Sequence, residues 1–372
     1  MQGEIQAITS PGVRELALEN FRNYASLHTD LLQGLNVLVG ANAQGKTNFL
    51  EAIYLLSTTR LLRGMRDAEA VREGSDRAVV SAELQHTHTQ VSITLEQRVR
   101  KRASLNGMSL PRAADLIGRL PSVCISTADL PIVRGEPADR RMFLDLELSQ
   151  LRPAYLRDLT LYKRALEQRN ALLRASQEEP QPAALFEPWE SQIAEHGASL
   201  RDHRKSFIAQ LSPAVRELHS QMSDGESFRI EYNQRDDPTT AAEIAEALER
   251  TRPGDIARSG TSVGPHRDDV AMEVGGRDAR LYGSQGQQRT AVIALKLATL
   301  RVAEEELGAP PMLLLDDILS DLDERRRAML VELVLGRSGQ AVLTCTEASA
   351  AGQDILNRAK VFVVEAGMVR EP

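Results

Sequence analysis

The stretch Leu35-Asn36-Val37-Leu38-Val39-Gly40-Ala41-Asn42-Ala43-Gln44-Gly45-Lys46-Thr47 decides the fold. Its first five residues, mostly apolar, read as a buried strand. The Gly-x-x-x-x-Gly-Lys-Thr spacing that follows is that of a phosphate-binding P-loop. Phe49, Ile53 and Leu56 then place an apolar face on a helix starting near Lys46. Gly40 and Gly45 are expected to adopt positive φ, so that the backbone N–H groups from Gly40 to Thr47 close around phosphate oxygens at the positive end of the helix. In this reading Lys46 reaches the β- and γ-phosphates of a nucleotide and the Thr47 hydroxyl ligates Mg²⁺.

A P-loop needs an acidic partner on a neighbouring strand. The run Met312-Leu313-Leu314-Leu315-Asp316-Asp317 has that form, an apolar strand whose end carries a carboxylate to the metal. Asp316 is read as the Mg²⁺-side carboxylate and Asp317 as the group that orients or activates the attacking water. Upstream, Val13 to Asn20 reads as a strand followed by Phe21-Arg22-Asn23-Tyr24, where Arg22 and Asn23 either face the nucleotide or form a charged turn.

The chain has 372 residues, enough for two or more units, and a formal net charge of −7, so any nucleic-acid surface must be a local basic patch. Two such patches stand out. Arg60, Arg63 and Arg66 recur every three residues, and Arg98, Arg100, Lys101 and Arg102 lie in a segment of period two that ends in the hairpin dipeptide Asn106-Gly107. The latter would be a one-face ladder toward DNA phosphate, or a solvated strand. Cys124 and Cys345 sit in or at the end of apolar runs without metal-ligand spacing, which suits buried thiols in a reducing compartment. The stretch Met1 to Pro11 is polar and mixed, and no run reaches membrane-spanning length, so the expected location is the cytoplasm and no membrane partner is expected.

From Pro137 to about Met222 the period is helical, with breaks expected at Pro153, near Glu178 to Pro182 and at Pro213. His266, in Gly264-Pro265-His266-Arg267-Asp268-Asp269, lacks metal-ligand partners and reads as part of a structural or nucleotide-proximal loop. Finally, Ser284-Gln285-Gly286-Gln287 opens a long apolar helix, and a hydroxyl, a glycine and exposed amides at a helix N-terminus make a second phosphate site.

The order P-loop, Ser284-x-Gly286-Gln287 before a helix, Asp316-Asp317, then Ser320-Asp321-Leu322-Asp323 resembles an ABC-type ATPase head with its signature and D-loop. More closely, Phe21-Arg22-Asn23-Tyr24, Arg140 to Asp145, Gln168-Arg169-Asn170, Gly264 to Asp269 and Ser284 to Thr290 together resemble the RecF family of bacterial recombination mediators, related to the heads of chromosome-organising ATPases. The resemblance implies a slow, DNA-stimulated ATPase with ATP and Mg²⁺ as cofactors. It implies an ATP-gated homodimer in which Ser284, Gly286 and Gln287 of one subunit cap the nucleotide on the P-loop of the other. It further implies binding to DNA at single-strand gaps or junctions, and work with RecR and RecO to load RecA in repair and replication-fork maintenance. The segment Ile125 to Asp129 lacks the aromatic and Pro-Glu expected of the family's Q-loop. Thr346 stands as the implied γ-phosphate sensor, where transporters carry histidine.

The expected fold is α/β, a P-loop ABC-type head with mixed sheet and an inserted, mainly helical second lobe. Residues 1–126 and 261–372 would form the ATPase lobe and 127–260 the helical one. Three other readings compete. A chromosome-organising ATPase needs sustained heptads between Thr47 and Ser284, where this chain has an antiparallel segment and proline-broken helices. A transporter subunit needs a histidine after the last core strand and only a short helical insert. A nucleotide-binding DNA scaffold without turnover is compatible with the sequence.

Overall fold

The strand Leu35–Val39 that carries the P-loop lies between two parallel neighbours, Ala341–Cys345 and Ala359–Glu365. Met312–Asp316 and Ser122–Ser126 continue the sheet in parallel beyond Ala341–Cys345, and Met368–Arg370 closes the opposite edge antiparallel. Every residue of Met312–Asp316, Ser122–Ser126 and Ala341–Cys345 is buried, as parallel strands covered on both faces require. This computed structural model describes residues 11–64, 66–337 and 339–372, so the polar N-terminal stretch read from the sequence falls, apart from Pro11, outside the described residues.

A second, antiparallel sheet has the order Tyr24–Asp30, Val13–Phe21, Arg77–Leu84, Gln90–Glu96, Val99–Leu105, Met108–Ser109. Its expected hairpin is present: Asn106 (φ 49) and Gly107 (φ 78) both take the left-handed backbone that a type I′ turn needs. The helix Lys46–Thr58 shares one apolar cluster with both sheets. Phe49, Leu50, Ile53 and Leu56 join Leu16, Leu18, Val80 and Ile93 of the antiparallel sheet and Leu38, Leu314, Val342 and Phe362 of the parallel one. A helix apolar on nearly every side is stable only when covered on every side.

The chain divides into two compact units, the described part of Met1–Leu130 with Ile293–Pro372, and Pro131–Val292. This differs from the boundaries expected at residues 126 and 260. The strand Asp269–Val274 pairs with Phe228–Asn233 along its whole length, and that pairing keeps the residues after 261 with the second unit. The second unit is mainly helical, with Pro137–Leu151, Pro153–Glu178, Glu187–Met222 and Ala241–Arg258 beside a three-stranded sheet. The break expected at Pro213 is absent: Glu187–Met222 runs through it. Pro213 and Ala209 are both exposed, so the carbonyl that loses its helical partner faces water.

Buried arginines organise this unit. Arg169, with no exposed surface, donates to Glu190, Asp255, the Thr261 hydroxyl and the Leu248 carbonyl, all at 2.8–3.0 Å. Arg201, equally buried, grips Asp268 through two bonds of 2.8 and 3.0 Å, and Arg204 donates to Asp145, the Tyr155 hydroxyl and the Pro265 carbonyl. Asp268 also accepts from the Tyr232 hydroxyl at 2.6 Å and from the Arg235 N–H at 3.0 Å. Arg201 also pairs with Asp236 at 2.7 Å, so removing Asp268 leaves the buried guanidinium with one carboxylate in place of two and leaves the Tyr232 hydroxyl and the Arg235 N–H without their acceptor. Asp268→Ala is therefore expected to destabilise the protein by about 3–5 kcal/mol. A lowered midpoint in urea or thermal unfolding checks this, and a parental midpoint would show that the network contributes no stability.

Candidate nucleotide site

The P-loop closes over a polar cavity of about 100 Å³ lined by Asn42, Ala43, Gly45, Lys46, Thr47, Asn48, Arg63 and Asp317. Gly45 has φ +121, and a Cβ there would lie 2.7 Å from the Asn23 amide nitrogen and 3.0 Å from the Tyr24 hydroxyl. Gly40, expected at positive φ, is needed for another reason: a Cβ would meet the Val364 carbonyl oxygen at 2.3 Å. The second left-handed residue of the loop is Ala43, at φ 65.

Four of the loop's carbonyls, those of Gly40, Ala41, Gln44 and Gly45, accept from side chains. Lys46 Nζ donates to the Gly40 and Ala41 carbonyls at 2.5 and 2.8 Å, the Asn23 amide to Gln44 O at 2.8 Å, and the Tyr24 hydroxyl to Gly45 O at 3.0 Å. Lys46 is thus held at the loop, where an incoming phosphate would exchange those carbonyls for a charged acceptor. Asn23 also accepts from the Asn48 amide at 2.7 Å, which ties the loop to its helix.

Thr47 Oγ1 and Thr344 Oγ1 both donate to Asp316 Oδ1, at 2.8 and 2.9 Å, and the Asp317 N–H donates to Thr344 Oγ1 at 2.9 Å. Burial, with Asp317 beside it, pushes the Asp316 carboxyl above its ordinary range, while the two hydroxyls and the Arg63 charge oppose that shift. Two oxygens at this separation match adjacent vertices of a Mg²⁺ octahedron, for which ligands at 2.0–2.1 Å place neighbours about 2.9 Å apart. The donor set fits Mg²⁺. Among the described residues no group of three or more His, Cys, Asp or Glu could hold a metal, so phosphate and water would supply the remaining ligands. Asp317 has φ 51, a strained backbone for a non-glycine residue, and its carboxylate accepts from the Ser320 hydroxyl at 2.7 Å. Thr344, on the strand Ala341–Cys345, reaches both aspartates, the Asp316 carboxylate and the Asp317 N–H.

Several expected roles change. Arg22 does not line the cavity: its guanidinium makes two bonds to the buried Glu51, at 2.8 and 3.1 Å, and others to the Glu69 and Arg63 carbonyls. Arg63, expected at a DNA surface, instead lines the phosphate cavity and donates to Asn48 Oδ1 at 3.0 Å. Arg66 is exposed. The basic hairpin is not a one-face ladder either. Arg100 and Arg102 lie on one face of Val99–Leu105, with Arg102 paired to Glu96, while Lys101 lies on the face of the buried Ala103 and pairs with Asp67 at 3.0 Å. Arg98 occupies the preceding turn at φ 62.

The family's Q-loop position closes on itself, since Asp129 accepts from the Ser126 N–H at 2.7 Å and burial pushes its carboxyl up. In the second unit, Ser284 and Gln287 cap each other reciprocally at 2.8 and 3.2 Å, opening the helix Gln285–Leu307 two turns before the apolar run begins. Ser284 and Gly286 are both exposed. His266 is a brace and not a ligand. Its Nε2 donates to Thr261 O at 2.9 Å, its Nδ1 accepts from the Tyr162 hydroxyl at 2.5 Å, and burial pushes its pKa down to about 4. Cys124 and Cys345 are both buried, and neither is in a disulfide among the described residues. No helix among the described residues is long and apolar enough to cross a membrane.

Residues 12–369 match the family model of the RecF/RecN/SMC N-terminal domain. The DNA replication and repair protein RecF of Symbiobacterium thermophilum is 41% identical over 95% of this chain and 96% of its own length. That of Heliobacterium modesticaldum is 38% identical over 96% and 98%. Among solved structures, the recombination mediator protein RecF with ATP, of the RecFOR pathway, superposes with a TM-score of 0.90 at 30% identity, covering 99% of this chain and 100% of that one. The Smc head domain of Pyrococcus furiosus shares the fold, with a TM-score of 0.56 at 16% identity over 97% and 95% of the two chains. With its P-loop and paired aspartates set at the ends of parallel strands in an α/β head, and with relatives matched over nearly its full length, the chain belongs to the RecF family of DNA replication and repair proteins.

Proposed function

We propose that the chain binds Mg-ATP at the P-loop and acts as an ATP-gated, DNA-binding dimer in recombinational repair and replication-fork maintenance, together with RecR and RecO in the loading of RecA at single-strand gaps. The observation that carries the reading is the convergence of Lys46, Thr47, Asp317 and Arg63 on one polar cavity, with Asp316 bonded to Thr47 at 2.8 Å. Lys46 and Arg63 would hold the phosphates, as would the N–H groups of the loop. Mg²⁺, held by Thr47 and Asp316, would neutralise phosphate charge. Asp317, oriented by Ser320, would take a proton from the water that attacks the γ-phosphorus as the bond to the β-phosphate oxygen breaks, releasing ADP and phosphate. Asp317→Asn is expected to keep ATP binding and slow hydrolysis by about 10²–10⁴-fold. Binding and single-turnover assays separate the two effects, and parental turnover would remove Asp317 from the base role.

The exposed Ser284 and Gly286 favour a shared site, because a capped helix N-terminus presenting a hydroxyl and an open glycine suits a phosphate from a second subunit. Lys46→Ala and Ser284→Arg should each abolish turnover as homodimers. Mixed equally, they form one whole site in about half of the dimers, so activity returns to roughly a quarter of the parent. A site complete within one chain would show no recovery. The loss of the Ser284 cap itself costs only about 1 kcal/mol, too little to unfold the variant.

Contact with DNA would be electrostatic and indifferent to sequence, since the chain has basic clusters but no recognition helix or zinc finger. The paired Lys101 and Arg102 contribute less than the exposed Arg98 and Arg100. Neutralising Arg98 and Arg100 together is expected to shallow the plot of log affinity against log salt by about one to two units, and Lys101→Ala to change it less. An unchanged slope would place the DNA elsewhere.

A further inference from the structure

Glu51 has no role in the machinery described so far, yet it is a fully buried carboxylate in the middle of the P-loop helix. Its charge is answered by the Arg22 guanidinium, whose Nε donates to Oε2 at 2.8 Å and whose Nη2 donates to Oε1 at 3.1 Å. The same Oε1 accepts the Arg63 backbone N–H at 2.9 Å, and the same Arg22 Nη2 donates to the Arg63 carbonyl at 2.7 Å. Both backbone polar groups of one exposed loop residue are therefore tied to a single buried ion pair. The loop is shaped to allow this: Gly64 has φ +93, and a Cβ there would lie 2.4 Å from Glu69 Oε2. From this anchored backbone the Arg63 side chain extends to Asn48 and the phosphate cavity.

A surface arginine has rotamer and backbone freedom that it must lose to hold a phosphate, and that loss weakens binding unless the position is already set. We propose that Glu51, through its ion pair with Arg22, is a positioning residue that presets Arg63 as a phosphate-holding cation beside Lys46. The inference rests on the reading of the cavity as an ATP site. The pair sits behind the helix and does not itself line the cavity. Its proposed route to nucleotide is Arg63, and the double-mutant cycle below separates that route from one through the neighbouring Asn23 and Tyr24, which hold the Gln44 and Gly45 carbonyls.

The test is a double-mutant cycle in the full-length protein, read as the dissociation constant of a fluorescent ATP analogue. Arg63→Ala is expected to weaken binding about tenfold. Glu51→Gln should weaken it by a similar factor, and Glu51→Gln combined with Arg63→Ala should be no weaker than Arg63→Ala alone, because the group that Glu51 positions is already gone. Since Glu51→Gln leaves the Arg22 charge without its counter-charge, a second variant, Glu51→Gln with Arg22→Gln, removes both charges and keeps hydrogen-bonding groups in place; it should show the same loss and the same lack of additivity. A folded variant of either kind that binds like the parent overturns the proposal, as does a loss that adds in full to that of Arg63→Ala. A general loosening of the helix would give such additivity. Lys46→Ala is the control for the underlying reading: if it leaves binding unchanged, the ATP site itself is wrong, whereas its failure to bind alongside parental Glu51 variants sinks only the positioning role.

Discussion

A phosphate-binding loop must turn its N–H groups inward, and that leaves a row of carbonyls facing the protein, each of which needs a donor. In this chain the donors come from Lys46 and from one hairpin turn. Asn23 takes the Gln44 carbonyl and the Tyr24 hydroxyl takes the Gly45 carbonyl, while the preceding Arg22 pairs with Glu51 one turn into the helix. Phe21 closes the same turn in the core with no exposed surface. The four residues Phe21 to Tyr24 thus hold the loop, the helix and the segment carrying Arg63 in one frame. The positive φ of Gly45 and the close approach of Asn23 and Tyr24 are parts of the same constraint, since any side chain at residue 45 would push the turn away.

The aspartate pair beside the cavity follows a second constraint. Two adjacent carboxylates at the end of a buried strand repel each other and lose hydration. Asp316 meets this with two hydroxyl donors, and Asp317 by a left-handed backbone that turns its carboxylate toward Ser320. The second unit meets its own electrostatic constraint differently. Four of its arginines, Arg140, Arg169, Arg201 and Arg204, are buried among carboxylates and carbonyls that leave little room for an alternative packing, and three of these four, Arg140, Arg201 and Arg204, hold the loop Gly264 to Asp269.

Local patterns in the sequence were sufficient for the P-loop, for the strand Met312–Asp316, for the Asn106-Gly107 turn and for the capped start of the helix after Ser284, because each is set by spacing within a few residues: glycine where the backbone must bend, apolar runs where a strand is covered on both faces, a hydroxyl three residues before an amide. What tertiary structure alone decided is which distant groups meet. Arg22 read as a residue facing the nucleotide or in a charged turn and Arg63 as part of a basic patch, yet one is consumed by Glu51 and the other lines the cavity beside Lys46, and nothing in the spacing of 22, 51 and 63 foretells it. That the Thr344 hydroxyl reaches Asp316 was decided by strand register, which places the two residues opposite each other. Lys101 was separated from Arg100 and Arg102 only by which face of a strand the core covers, and the unit boundary near Val292 only by the pairing of Phe228–Asn233 with Asp269–Val274. A side chain's charge is written in the sequence, but its partner is chosen by the burial of everything around it, and burial is a property of the whole fold.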